Sequence, residues 1–237
     1  MPIGIMAVSS AILLGGGLGA VAGKHIPEKL KATLPMVFSL VAMTMGIISI
    51  IKVHALPPVV LSMIFGTVIG SLCGLERLLR HAGERIAVVF MKGSHADPAI
   101  RRQQLETLSI AVILFCAGPT GIYGSMEASL SGDHSLLLSK AFLDLFTAAV
   151  FAAVSGAVIS LLSVIVFIVF MAVYLLAGTL APLCTPEMFA DFSSCGGLLM
   201  LATGFRMAEI KMYHITDMLP AMLLVMPISY LWSFIPL

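Results

Sequence analysis

Residues 159–181 read ISLLSVIVFIVFMAVYLLAGTLA, a run without a charged side chain. At about 1.5 Å per helical residue such a run covers the roughly 30 Å hydrocarbon core of a bilayer. It decides the fold class because the rest of the chain is composed much like it. Of 237 residues, 59% are hydrophobic and only 11% are charged, with a mean hydropathy of +1.09. A soluble domain carries about 25% charged residues. There is too little polar surface here to cover a water-soluble globule, and intrinsic disorder fails on the same number. The expectation is an all-α, polytopic transmembrane helix bundle.

Working outward from that run, polar clusters and prolines cut the chain into eight candidate spans. They lie near 3–23, 33–51, 57–76, 107–124, 135–156, 159–181, 194–211 and 217–236. The fourth is the weakest, because Gly118-Pro119, Gly121 and Gly124 interrupt it. It either crosses fully or is re-entrant. The opening run is expected to be a spanning helix rather than a signal segment, since it is long and its first lysine follows it.

Net charge is only +1, which gives no global field to draw nucleic acid. The distribution of the charge is more informative. Basic residues favour cytoplasmic loops. With the N-terminus outside, the inner side holds Lys24, Lys29, Lys31, Arg77, Arg80, Arg85, Lys92, Arg101, Arg102, Arg206 and Lys211. Only Lys52 and Lys140 of the 13 basic residues fall elsewhere. The expected topology therefore puts both termini in the periplasm. The expected organisation is a first three-helix unit over 1–80, a basic cytoplasmic loop over 81–106, a central broken-helix hairpin over 107–157, and a second three-helix unit over 158–237.

The two outer units resemble each other. Gly19, Ile26-Pro27-Glu28, Thr44-Met45-Gly46 and Leu56-Pro57 recur in order as Gly178, Thr185-Pro186-Glu187, Thr203-Gly204 and Leu219-Pro220. A duplication explains four ordered anchors; shared hairpin chemistry is the alternative. A duplicate displaced by five spans inserts in the opposite sense. An inverted repeat around a central element is a recurring plan of secondary transporters.

Small residues recur one turn apart as Gly15, Gly19 and Gly23, as Gly66, Gly70 and Gly74, and as Ala149, Ala153 and Ala157. Such faces let helix backbones approach closely in lipid. They serve either packing within one subunit or association of a homo-oligomer. The four cysteines form no CxxC pair; Cys184 and Cys195 share the expected outer side, where a disulfide is one option.

The most distinctive stretch runs from Cys116 to Thr147. Proline lacks a donor and disfavours helix in the residue before it, so Gly118-Pro119 must break the fourth span. Unwound backbone at membrane depth is tolerated where protein buries it or water reaches it. Asp133, after Gly132, stands where an N-cap carboxylate is wanted at the start of the fifth span. Asp133, Lys140, Asp144 and Thr147 fall on one helical stripe. Asp144 then lies about 16 Å below Asp133, near mid-bilayer. Charges at that depth face a protein interior, a cavity or an ion path. Lys140 and Asp144 make either a structural ion pair or a site coupled to ion movement. The candidate substrate or ion site is Gly118, Gly121, Gly124, Glu127, Gly132, Asp133, Lys140, Asp144 and Thr147. Glu127, Asp133 and His134 are too loosely spaced to argue for a metal, and no cofactor is expected.

The runs Phe115 to Gly124, Ser131-Gly132-Asp133 and Lys140 to Asp144 resemble the YqgA/YdfK-type bacterial inner-membrane proteins, a family catalogued under a domain of unknown function. Gly197-Leu198-Leu199, Ala202-Thr203-Gly204 and Met218 to Ala221 are similar to its C-terminal pattern. The resemblance covers essentially the whole chain and implies a multi-pass protein of the cytoplasmic membrane. It supplies no substrate. Gly118, Gly124, Gly132, Asp133, Lys140 and Asp144 are the positions it carries over. The resemblance implies a Gln that is frequent in the sixth span, whereas Val164 to Leu176 here contains none, so a polar route should not be extended there.

Three functions compete. A secondary transporter or permease for a small solute or ion uses the broken span and the start of the next as its site. A membrane scaffold or sensor instead uses the basic loop toward a cytosolic partner or anionic lipid. An enzyme is not expected, since HExxH, GxSxG and P-loop patterns do not occur.

Overall fold

The computed structural model describes residues 2–22, 28–90 and 118–235, with Gln104, Leu108, Ala111, Val112 and 114–116 between the last two stretches. The described residues fold into helices: α1 (Ile3–Ala22), α2 (Glu28–Ile50), α3 (Leu56–Cys73), α4 (Leu75–Phe90), α5 (Pro119–Leu130), α6 (Ser135–Ser155), α7 (Val158–Leu180), α8 (Pro186–Met207), α9 (Ile215–Met218) and α10 (Pro220–Trp232). The described residues of 104–116 are helical as well and precede α5. Among the described residues six helices are long and apolar enough to cross a bilayer: α1, α3, α6, α7, α8 and the joined α9–α10. The stretch Met36–Ile50 of α2 adds a shorter apolar helix.

Prolines start these helices for a local reason: their missing N–H falls among the donors a helix leaves free at its first turn. Pro57, Pro119, Pro186 and Pro220 all occupy such positions. At α8 the Thr185 hydroxyl also accepts the Met188 amide at 3.3 Å. That cap moves the helix start from the expected position near 194 back to Pro186. Hydropathy alone excluded Asp191 from the span, yet Asp191 is fully buried because its carboxylate is satisfied by neighbouring elements.

A second departure concerns the basic loop expected over 81–106. Its first ten residues belong to α4, with residues 91–103 lying outside the described ones. Leu75, Leu79 and Ala82 line one face, while Arg77, Arg80 and Glu84 lie on the other. This is the 3.6-residue period of a surface helix, not of a loop or a span. Gly74, at φ +62, ends α3 and lets the chain turn into α4. Asp217 of α9 then accepts the Glu76 amide at 2.9 Å, capping α4 from another helix.

Helix pairing is set by glycines. A side chain at Gly15 or Gly19 of α1 would strike the Leu145 or Ala149 carbonyl of α6, so these two helices run parallel in close contact. Gly16 of α1 lies against Ser160 of α7, whose hydroxyl donates to the Leu13 carbonyl at 3.2 Å. Gly46 of α2 abuts Gly197 and Leu201 of α8, whereas Gly204 of α8 abuts Ser39 and Met43 of α2, an antiparallel pair. Gly66 and Gly70 of α3 meet Ala221 and Asp217. The glycine faces are thus filled within the chain at these positions.

Two cores result. The first joins Ile5, Val8 and Ile12 of α1 to Leu108, Phe115, Leu137, Ala148, Leu162 and Phe170. The second joins Met45, Val59, Phe192, Leu199, Met200, Met222 and Val225. Helix α5 belongs to both: Tyr123 and Met126 enter the second core and Ala128 the first. It is the seam between them. Hydroxyls inside the helices are satisfied locally, as Ser62 on the Pro58 carbonyl, Ser125 on Gly121 and Thr203 on Leu199 illustrate.

Candidate functional site

The central hairpin is built as its residues require. The described helix before the break runs to Cys116, Gly118 is extended at φ −63, ψ 133, and Pro119 opens α5. Gly121 presses on the Phe170 ring of α7 and Gly124 on Leu137 of α6, so both glycines buy close packing. After α5, Gly132 turns the chain at φ +75, a conformation that suits glycine. His134 takes the N-cap position of α6 rather than Asp133, and Asp133, one residue earlier, accepts the Ser135 amide at 2.8 Å and so still satisfies the first amide of the helix. The Ser135 hydroxyl and amide hydrogen bonds hold the Asp133 carboxyl below the usual carboxylate range.

Lys140 and Asp144 pair within α6, Nζ lying 3.0 Å from Oδ1 and 2.9 Å from Oδ2. Both residues are buried, at 5% exposure. Helix α5 meets α6 at Gly124, which lies against Leu137. Cys116, last described residue before the break, lies within electrostatic range of both charges. Thr147, a turn below, is half-buried and spends its hydroxyl on the Leu143 carbonyl. Of the predicted stripe, Lys140, Asp144 and Thr147 share one face of α6, whereas Asp133 lies two residues before the helix begins.

Glu127 is drawn elsewhere. It is 1% exposed, and its Oε1 accepts the Tyr123 hydroxyl at 3.1 Å and the Lys52 ammonium at 3.2 Å. Tyr123 is fully buried, with its ring against Gly196 and edge-on to Phe192 at 5.5 Å. Lys52 and Tyr123 are absent from the residues the sequence nominates. Lys52 is one of the two basic residues left over by the charge asymmetry; the other is Lys140. Each of the two turns out to hold a carboxylate, a signal that was available in the sequence. Asp191 is a further buried carboxylate, taking the His54 and Ala55 amides at 3.0 and 2.7 Å and the Ser229 hydroxyl at 2.6 Å. It ties α8 and α10 to the start of α3.

At the opposite end Arg206 pairs with Glu76 at 3.4 Å. Glu209 has left the helix, at φ +58. The Cys195 thiol lies 3.7 Å from the Met63 thioether in the second core and forms no disulfide with Cys184. Among the described residues no group of three His, Cys, Asp or Glu side chains is placed to hold a metal ion.

A family model described as a protein of unknown function, DUF554, matches residues 3–230. The chain belongs to the DUF554 family. It is 40% identical over 233 residues to the "Uncharacterized protein YqgA" of Escherichia coli (strain K12), covering 98% of both chains. It is 29% identical over 219 residues to the "Uncharacterized membrane protein YdfK" of Bacillus subtilis (strain 168), covering 90% of this chain and 89% of that one. No solved structure matches. With its apolar helices and these DUF554 relatives, the chain is a membrane protein.

Proposed function

We propose that this protein is a secondary transporter or permease for a small solute or ion, built as an inverted repeat of two three-helix units around the central broken-helix pair. The observation that carries the proposal is the buried Lys140–Asp144 pair, within electrostatic range of Cys116 just before the Gly118-Pro119 break. Intramembrane charges are costly and mark ion or substrate paths. Half-helix ends and unwound backbone offer N–H and C=O groups to a ligand at that depth. Gly121, Gly124 and Gly132 let the hairpin fold there, and Asp133 and Thr147 extend its polar face.

Support for the repeat comes from reciprocity. Gly46 and Gly204, matching anchors of the two units, each pack on the other unit's helix, Gly46 against Gly197 and Leu201 and Gly204 against Ser39 and Met43. A two-fold axis in the membrane plane generates such a set. Each unit would then give one helix, α1 or α7, to the first core and the rest to the second. Counting α2 in full and the segment from 104 through α5 as crossings brings the spans to eight. The family resemblance favours the bacterial cytoplasmic membrane, and the basic residues favour both termini periplasmic. Surrounding lipid and an unidentified solute or ion are the expected partners. A homo-oligomer would need a surface other than Gly15, Gly19, Gly66 and Gly70.

The test is uptake into proteoliposomes from a panel of labelled small solutes and ions. Asp144→Asn should abolish uptake, or its proton coupling, for whatever the wild type carries. Unchanged uptake and coupling would sink the site. A scaffold reading draws on α4 instead, with Arg77, Arg80 and Arg85 on an amphipathic surface helix. Changing those three to Gln should leave uptake intact if the protein transports.

A further inference from the structure

We propose that Glu127 is a proton-binding site and that its ion pair with Lys52 is a latch between α2 and α5, released when Glu127 is protonated. The proposal concerns the end of the seam helix, away from the Lys140–Asp144 pair, and stands whether or not the protein transports.

The two carboxylate oxygens of Glu127 are unlike. Oε1 accepts two donors, Tyr123 and Lys52. Oε2 is buried and has no hydrogen-bond partner among the described residues. An anionic oxygen without a donor in a low-dielectric interior is unfavourable, and a proton on that oxygen relieves it. Protonation at Oε2 leaves the Tyr123 hydrogen bond in place. It removes the Coulomb attraction for Lys52, whose side chain is 44% exposed against 2% for Glu127. The ammonium can move to the surface; the carboxyl stays buried.

The surrounding groups support a titration governed by Lys52. Lys52, Tyr123 and Asp133 are the ionisable groups that act on the Glu127 carboxyl. Among elements packed on α5, helix α1 carries no ionisable side chain and α7 only Tyr174. Helix α6 follows His134 and holds Lys140 and Asp144, which neutralise each other. Helix α8 carries Glu187, Asp191, Cys195 and Arg206. Of these Asp191 is committed to His54, Ala55 and Ser229, and Arg206 to Glu76 at the other end. Since α2 belongs to the second core and α5 is the seam with the first, releasing Lys52 frees one core from the seam at this end.

The experiment uses the full chain in liposomes. Infrared difference spectra of the carboxyl C=O band, taken from about pH 4 to about pH 9, read protonation of buried carboxyls across the range where such groups titrate. A band lost in Glu127→Gln identifies the site. Lys52→Met, which removes the positive neighbour, should move its midpoint up by about 1 pH unit or more, and Tyr123→Phe should move it the same way by less. These two variants read the site without altering the carboxyl, should Glu127→Gln fail to fold. A band that survives Glu127→Gln, or a midpoint unmoved in Lys52→Met, overturns the site. The latch is read by spin labels at position 51, just after α2, and position 131, just after α5, in a cysteine-free background. Their separation should broaden on acidification in the wild type and stay broad at every pH in Glu127→Gln. A separation indifferent to pH overturns the latch.

Discussion

Lys140 and Asp144 neutralise one another inside α6, so removing one partner leaves the other charge buried and unpaired. Breaking such a pair costs about 3 kcal/mol or more, whereas replacing both with apolar groups of similar size is often neutral. Asp144→Asn should therefore lower stability in detergent, read by thermal unfolding, while Lys140→Met with Asp144→Leu should restore it. If the double variant folds and still fails to import what the wild type imports, the pair serves transport and not the fold. Asp133 behaves differently because it is exposed and satisfies the first amide of α6. Asp133→Ala should cost about 1 kcal/mol at neutral pH. The Ser135 hydrogen bonds hold the folded carboxyl below its ordinary range. Its contribution is thus fully present above the unfolded value and fades only as pH falls through the lower folded one. Stability of wild type and Asp133→Ala should converge in acid.

At the scale of elements, close approach decides which helices pair. A Cβ at Gly46 would lie 2.7 Å from the Gly197 carbonyl, whereas one at Gly17 meets nothing. Overpacking of this kind costs about 1–3 kcal/mol. Gly46→Ala should destabilise by that order and Gly17→Ala by less than about 0.5 kcal/mol, in the same denaturation assay. Helix α4 has its own test. Leu78 is 62% exposed and follows Arg77 on an amphipathic helix capped at its start by Asp217. If α4 lies along the bilayer, a label at Leu78 should be quenched by an apolar quencher, and one at Arg77 by a water-soluble one.

At the scale of the whole molecule, two cores meet along one short helix. Lys52, Glu127, Asp133 and Asp191 gather at one end, and Glu76, Arg206 and Asp217 at the other. The topology expected from the basic residues puts the first group outside. An alkaline phosphatase fused after Leu237 should be active, and a fluorescent protein inserted after Lys92 should fluoresce from the cytoplasmic side. The opposite pattern would reverse the orientation.

Composition and hydrophobic run length determined that the chain is an all-helical membrane protein, because lipid leaves few other ways to satisfy a backbone. Prolines and glycines fixed most helix starts and the break before α5, since those constraints are local. The Asp133 hydrogen bond at the start of α6 and the i, i+4 pair of Lys140 with Asp144 were legible for the same reason. Contacts between distant segments were not. Lys52 reaches Glu127 across 75 residues, and Asp191 reaches His54 across 137. Only the packing of α2, α5 and α8 brings those groups together, and only packing shows that Asp191 can sit inside a span. Burial of a charge depends on its partners, and the tertiary structure chooses them.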